Sequence, residues 1–155
     1  MLGMAEKKIS ADAKIVVWSE KYSTCIETID AQHKELFELI NGLYEACVGG
    51  GTGIDSAFQK AMHSMVEYVR FHFSQEIALL EKIGYPDLVE HKKQHEELAH
   101  IILDASNSYK KGTALVPNKF VRTLRDWVLS HIGVYDKAYA DYIAGMRKKG
   151  LLTDI

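Results

Sequence analysis

The chain has 155 residues, of which 47% are apolar and 26% are charged, so it can bury the core of one globular domain. Its formal net charge of -2 leaves no basic surface for a nucleic-acid backbone. The sequence contains no run near the roughly 20 apolar residues of a membrane span, and its first residues do not resemble a secretory signal. We therefore expect a cytoplasmic protein that has no membrane span and binds no nucleic acid.

Helical periodicity dominates the chain, and clusters that contain glycine or proline divide it into four long segments. We expect a flexible N-terminal tail over residues 1–13, followed by an extended arm. Asp30 is a suitable N-cap for the first helix, and Pro86 and Pro117 suit the first positions of the third and fourth helices. The predicted helices span residues 30–48, 55–83, 86–111 and 117–147.

Short loops make consecutive helices antiparallel neighbours. The predicted fold is therefore all-α, an up-down-up-down antiparallel four-helix bundle with an extended N-terminal arm. Four apolar residues of the arm, Val16, Val17, Trp18 and Ile26, are expected to pack on the bundle.

Seven histidine and acidic side chains occupy helical positions at which metal ligands could meet. Two pairs have a spacing of four residues, which puts both members on one helix face. In the fourth helix a five-residue step rotates the side chains by about 140°, so its acid must approach from a different angle. At about 1.5 Å per residue, all seven fall in the same half of the bundle. The candidate metal ligands are His33, His72, Glu76, His91, His95, His131 and Asp136.

The other two histidines, His63 and His100, provide a comparison. Each is nine residues from a candidate ligand on the same helix, and nine steps of about 100° turn a side chain to the opposite face. We expect neither to share the site. A single buried histidine is commonly a hydrogen-bonded core residue, but burying the whole set without a metal would cost several kcal/mol for each unpaired polar group.

The donor types restrict the metal. Imidazole and carboxylate without thiolate suit iron, manganese, zinc or copper, and seven ligands are more than one ion uses. Two carboxylates suffice to bridge a pair of ions. A ferritin-like di-iron site is disfavoured, because such sites use two Glu-x-x-His motifs, whereas this chain has one, Glu97-Leu98-Ala99-His100, with its histidine on the wrong face.

Five segments together resemble the hemerythrin family. IDAQHKELFELIN, FHFSQEIALLEKIGYP, HKKQH and WVLSHIGVYDKAY are similar to its four metal-binding segments, and WSEKYSTCIETID is similar to its entry arm. The resemblance covers roughly residues 16–146, and it is greatest to the single-domain bacteriohemerythrins. It implies a hemerythrin-like domain over residues 14–150.

The resemblance implies a non-haem di-iron centre that binds O2 reversibly, in an O2 carrier, store or delivery protein. His91, His95 and His131 would complete one iron. His33 and His72 would hold the second iron, which keeps an open coordination site. The bridges would be Glu76, Asp136 and a hydroxo or oxo group.

An apolar O2 pocket is also implied by the resemblance. The corresponding residues are Leu36, Phe73, Trp127, Val128 and Ile132. None of them supplies an acid for cleaving the O–O bond, and a dry pocket favours release of O2 over its activation. Val128 is smaller than the leucine expected at its position.

Two other functions remain open. The same site could serve a di-iron oxidase, a peroxidase or a nitric oxide reductase, which would need a proton source or a substrate route. It could also serve an O2 or iron sensor module. We expect a protein that is not an enzyme, that is a monomer or a weak oligomer, and that binds O2, with an O2-consuming protein as a further partner to consider.

Overall fold

The structure is a computed structural model that describes residues 14–48, 54–111 and 117–153. Within these ranges, five α-helices follow a short 3-10 helix at Glu20–Tyr22. They are α1 (Glu27–Val48), α2 (Ile54–Lys82), α3 (Leu88–Lys110), α4 (Pro117–His131) and α5 (Lys137–Lys148), with a π-helical segment at Ile132–Asp136 between the last two. The predicted tail at residues 1–13 lies outside the described residues, and the predicted domain boundaries stay a prediction.

The helices form a four-helix bundle, as predicted, in which α4, the π-helical segment and α5 together make the fourth member. α1 packs against α2 and α4, and α3 packs against the same two helices. Of the helices in the described ranges, none is long and apolar enough to cross a lipid bilayer.

Two apolar clusters fill the bundle at different heights. The larger one includes Phe37, Met65 and Leu124, while the smaller one, near the end where α1 begins, includes Leu80 and Tyr139. The candidate ligands lie on the helix turns between these clusters. Hydrophobic burial on both sides therefore holds the helices together at that level.

α1 begins at Glu27, so the prediction that Asp30 is its N-cap was wrong. Asp30 instead lies in the first turn, where its carboxylate accepts hydrogen bonds from Ser23 Oγ at 2.5 Å and from the backbone N–H and Oγ1 of Thr24, both at 2.7 Å. Thr24 Oγ1 also accepts a hydrogen bond from the N–H of Ile26 at 3.2 Å, just before the helix. The acid therefore fastens the arm to the first turn.

The arm packs on the bundle through alternate residues. Val16 and Ile26 are buried, but the side chain of Val17 is exposed, so its predicted packing was wrong. Extended backbone points successive side chains to opposite sides, which explains the difference. The amide of Asn41 fixes this register, since it accepts from the N–H of Val16 at 3.2 Å and donates to its carbonyl at 3.0 Å.

A tight turn connects α2 to α3. Gly84 adopts the left-handed conformation with φ of 63°, its N–H bonds to the carbonyl of Glu81, and the N–H of Tyr85 bonds to the carbonyl of Leu80. This is a Schellman motif, and both Leu80 and Tyr85 are buried in the smaller cluster. α3 begins at Leu88, two residues after Pro86, which lies in the turn instead of at the first helical position.

The fourth predicted helix is interrupted by the π-helical segment. At its end the N–H of Lys137 bonds to the carbonyl of Ile132, five residues earlier. A π turn contains more residues than an α turn, so side chains five residues apart are offset by less than the about 140° of an α-helix. The segment therefore brings Asp136 to the side of the helix from which His131 points.

Candidate metal centre

All seven candidate ligands are buried and converge between the helices. α1 supplies one residue, α2 and α3 supply two each, α4 supplies one and the π-helical segment supplies one. Their exposed fractions are His33 0%, His72 1%, Glu76 0%, His91 2%, His95 6%, His131 3% and Asp136 0%.

Three imidazoles gather around one acid in what we call the three-histidine group. It contains His91, His95, His131 and Glu76, whose potential ligand atoms all lie within 4.8 Å of one another. Glu76 Oε2 is 3.0 Å from the Nε2 atoms of both His91 and His95. The four-residue spacing on α3 makes this possible, because it places both imidazoles on the face toward α2.

The remaining imidazoles, His33 and His72, form the two-histidine group, again with Glu76 and again with ligand atoms within 4.8 Å. Glu76 thus belongs to both groups. Asp136 also lies between them, since its Oδ2 is 3.1 Å from His33 Nε2 while its Oδ1 is 3.1 Å from His131 Nε2. Each carboxylate therefore stands where it could bridge two ions.

The hydrogen-bonding of these atoms is incomplete. Among the described residues, the buried side-chain nitrogens and oxygens without a hydrogen-bond partner all belong to His33, His95, His131 and Asp136. Leaving a buried polar group unpaired costs about 1–3 kcal/mol, and such groups are rare in folded proteins. Bound cations would satisfy the inward-facing atoms of this set, so the donors fit a metal centre.

Protonation also favours metal binding at most of these positions. Burial lowers the pKa of His72 to about 4, so its imidazole is neutral at pH 7. Burial alone would raise the pKa of Glu76, but its close contacts with the imidazoles of His91 and His95 outweigh burial and hold that pKa well below its usual range. Burial and the charge of Glu76 oppose ionisation of Asp136, yet its histidine neighbours lower its pKa to about 2. The pKa of His131 is raised, since Asp136 outweighs the effect of burial.

Two side chains support the candidate ligands from outside. Gln32 Oε1 lies 2.8 Å from Nδ1 of His72, and the Tyr139 hydroxyl donates to Glu76 Oε1 at 2.6 Å. If Nδ1 of His72 carries the proton, its Nε2 remains free as a ligand atom. Sequence reasoning missed both residues. Tyr139 follows Asp136 by three residues and so shares its helix face, a signal that could have identified it.

The two remaining histidines of the chain lie away from the candidate metal centre. His63 and His100 are exposed on their helices and belong to neither group. Tyr135, the residue before Asp136, stacks on His131 with ring centroids 5.5 Å apart.

The five predicted pocket residues lie in or against the larger apolar cluster. Leu36, Val128 and Ile132 are at most 3% exposed. Phe73 stacks on His95 at 3.6 Å and Trp127 stacks on His131 at 4.6 Å, so both aromatic rings contact the three-histidine group. Phe73 also approaches His72 of the other group at 5.8 Å.

Comparison with known proteins identifies relatives over most of the chain. Residues 24–143 match the family described as "Hemerythrin HHE cation binding domain". A bacteriohemerythrin of Methylococcus capsulatus is 31% identical, covering 81% of this chain and 94% of the relative, and one of Clostridium acetobutylicum is 31% identical, covering 81% and 98%. A solved structure entitled "Crystal structure of hemerythrin:wild-type" superimposes with a TM-score of 0.76 at 30% identity, covering 82% and 96% of the two chains.

Proposed function

Since the chain belongs to the hemerythrin family, we propose that it binds O2 reversibly at a non-haem di-iron centre and works as an O2 carrier, store or delivery protein. The observation that carries the proposal is the inequality of the two histidine groups. They share Glu76 and Asp136, but one has three imidazoles and the other has two.

Each group would hold one iron. His91, His95 and His131 would complete the first, while His33 and His72 would hold the second. Glu76 and Asp136 would bridge the two, with a hydroxo or oxo group as the third bridge. The ion with fewer protein donors is then the one that keeps a position for O2.

The iron pair, when bound, would supply the two electrons that reversible O2 binding requires. The protein's own contribution is to hold the donors and to exclude water. Leu36, Val128 and Ile132 would line the O2 pocket with Phe73 and Trp127, and none of these five side chains is an acid that could protonate bound O2. Such a wall favours release of bound O2 over cleavage of its O–O bond.

Tyr139 would hold the bridging carboxylate in place. Burial and the neighbouring charge of Glu76 raise the pKa of its phenol well above 10, so the group keeps its proton and continues to donate to Glu76 Oε1. A fixed Oε1 leaves Oε2 directed toward His91 and His95. Outer contacts of this kind set the orientation of a metal ligand.

The proposed O2 binding also leads to expectations about localisation, oligomeric state and partners. We expect a cytoplasmic protein without sustained enzymatic turnover, present as a monomer or weak oligomer, whose partners are O2 and, in a delivery role, an O2-consuming protein. These expectations rest on the sequence and on the binding role.

An absorption titration tests the proposal. The purified protein should contain two irons per chain, and the anaerobically reduced form should change its visible absorption on exposure to O2 and recover when O2 is removed. One zinc per chain with no spectral response would contradict it. Continuous consumption of O2, peroxide or nitric oxide with a reductant would favour an enzyme instead.

A further inference from the structure

A surface depression of about 230 Å³ lies between the start of α3 and the π-helical segment. Two tyrosine rings, Tyr85 and Tyr135, line it together with His91 of the three-histidine group, and Ala138 forms part of its wall. We call it the tyrosine depression. A cavity of about 150 Å³ can hold benzene, so its volume suits one aromatic ring.

Both tyrosines connect the depression to the candidate metal centre. Tyr135 stacks on His131 at 5.5 Å with an angle of 20° between the rings. Tyr85 meets Tyr139 edge to face at 6.2 Å, and the Tyr139 hydroxyl hydrogen-bonds to Glu76. A ring seated between them would therefore contact Tyr135, which stacks on His131, and would be connected to Glu76 through Tyr85 and Tyr139. Such short contacts favour electron tunnelling between a bound ring and the site.

Two carboxylates, and neither lysine nor arginine, complete the lining. The side chain of Asp87 makes no capping hydrogen bond to α3. Glu90 accepts a weak hydrogen bond from Gln94 at 3.3 Å and lies 3.9 Å from Lys93 Nζ in an exposed pair. Carboxylates bind hydroxyl donors well and repel anions. Val134, another lining residue, is 59% exposed and adds apolar surface. The occupant should therefore be flat, uncharged or cationic, and equipped with hydroxyl groups.

We propose that the tyrosine depression binds a single-ring dihydroxybenzene, which serves as the reductant of the metal centre. The redox part rests on the proposed di-iron function, whereas binding of the ring does not. Oxidation of a hydroquinone to its quinone breaks two O–H bonds and releases two electrons and two protons. The two electrons would reduce two ferric ions to ferrous ions, and the two protons would pass to solvent water.

Equilibrium dialysis tests the binding, with resorcinol as a dihydroxybenzene that does not readily form a quinone. The iron-loaded protein should bind one resorcinol per chain. Ala138→Phe should fill the depression and weaken binding at least tenfold, and Asp87→Asn should weaken it less. Ala99→Phe, a matched substitution at an exposed alanine of α3, should leave binding unchanged. Equal binding by wild type and Ala138→Phe would overturn the proposal, as would a new phenolate-to-iron absorption band.

Stopped-flow reduction tests the electron route in the same samples. Hydroquinone should reduce oxidised Ala138→Phe at least tenfold more slowly than wild type, while dithionite, which needs no such site, should reduce both at one rate. Equal hydroquinone rates would refute the route. The O2-dependent absorption change of each sample reports the proposed function separately, so either idea can fail alone.

Discussion

The two histidine groups share two carboxylates but are built in different ways. The three-histidine group takes His91 and His95 from one helix face, so the period of α3 alone fixes their separation. The two-histidine group takes His33 from α1 and His72 from α2, so its geometry depends on how two helices pack. The difference in donor number therefore follows from the placement of histidines in a bundle of four similar helices.

The support of the rings differs as well. In the three-histidine group Phe73 stacks on His95 and Trp127 stacks on His131, so apolar packing orients two of its imidazoles. In the two-histidine group Gln32 holds His72 through one contact of 2.8 Å. A single substitution should therefore disturb the two-histidine group selectively, whereas the shared carboxylates should affect both groups.

Removing a shared carboxylate should have the largest effect. Glu76→Ala or Asp136→Ala takes one donor from each ion and leaves neighbouring imidazoles without their partner. Loss of a residue that only hydrogen-bonds to a metal ligand already reduces metal affinity about 10–100-fold, so loss of a bridging ligand should exceed about 100-fold. Iron analysis after dialysis against a chelator should find at most one iron per chain.

His63→Ala and His100→Ala are the matched controls for the loss of a bridge. Both histidines are exposed and face away from the site. Each variant should keep two irons per chain after the same dialysis. Equal losses in the control and bridge variants would refute the assignment of helix faces.

Gln32→Leu should have a smaller effect that is confined to one group. It removes the acceptor that orients His72, and loss of such a partner weakens metal binding by about tenfold or more. Chelator titration should show one iron leaving at a lower chelator concentration, with the other unchanged. Gln75→Leu, at an exposed position beside Glu76, should leave both irons in place. Parallel weakening of both ions by Gln32→Leu would indicate a general loss of packing.

Much of the bundle follows from sequence because apolar spacing and turn residues determine it locally. The four-residue spacing between His72 and Glu76, and again between His91 and His95, places each pair on one helix face. Because short turns join the helices, the number of residues from each turn then gives the height of each ligand along the bundle. An extended arm also predicts that Val16 and Val17 point to opposite sides. Because both are apolar, their residue types did not indicate which one is exposed.

The missed features depend on contacts that spacing does not encode. The first turn of α1 forms before Asp30 because Thr24 and Ser23 from the arm satisfy its carboxylate. The π-helical segment forms between His131 and Asp136 where both side chains point into one site, although an α-helix would separate them by about 140°. Helix propensities do not predict this π-helical turn. The hydrogen bond between Gln32 and His72 connects α1 to α2, so residue spacing within one helix does not predict it either.

The most direct test of the account is the position of iron in crystals of the reduced, iron-loaded protein, determined by anomalous scattering. We predict two iron peaks, one bound by His91, His95 and His131 and the other by His33 and His72, with Glu76 and Asp136 between them. A single peak, or two ions with equal numbers of imidazole ligands, would contradict the unequal centre on which the proposed O2 binding depends.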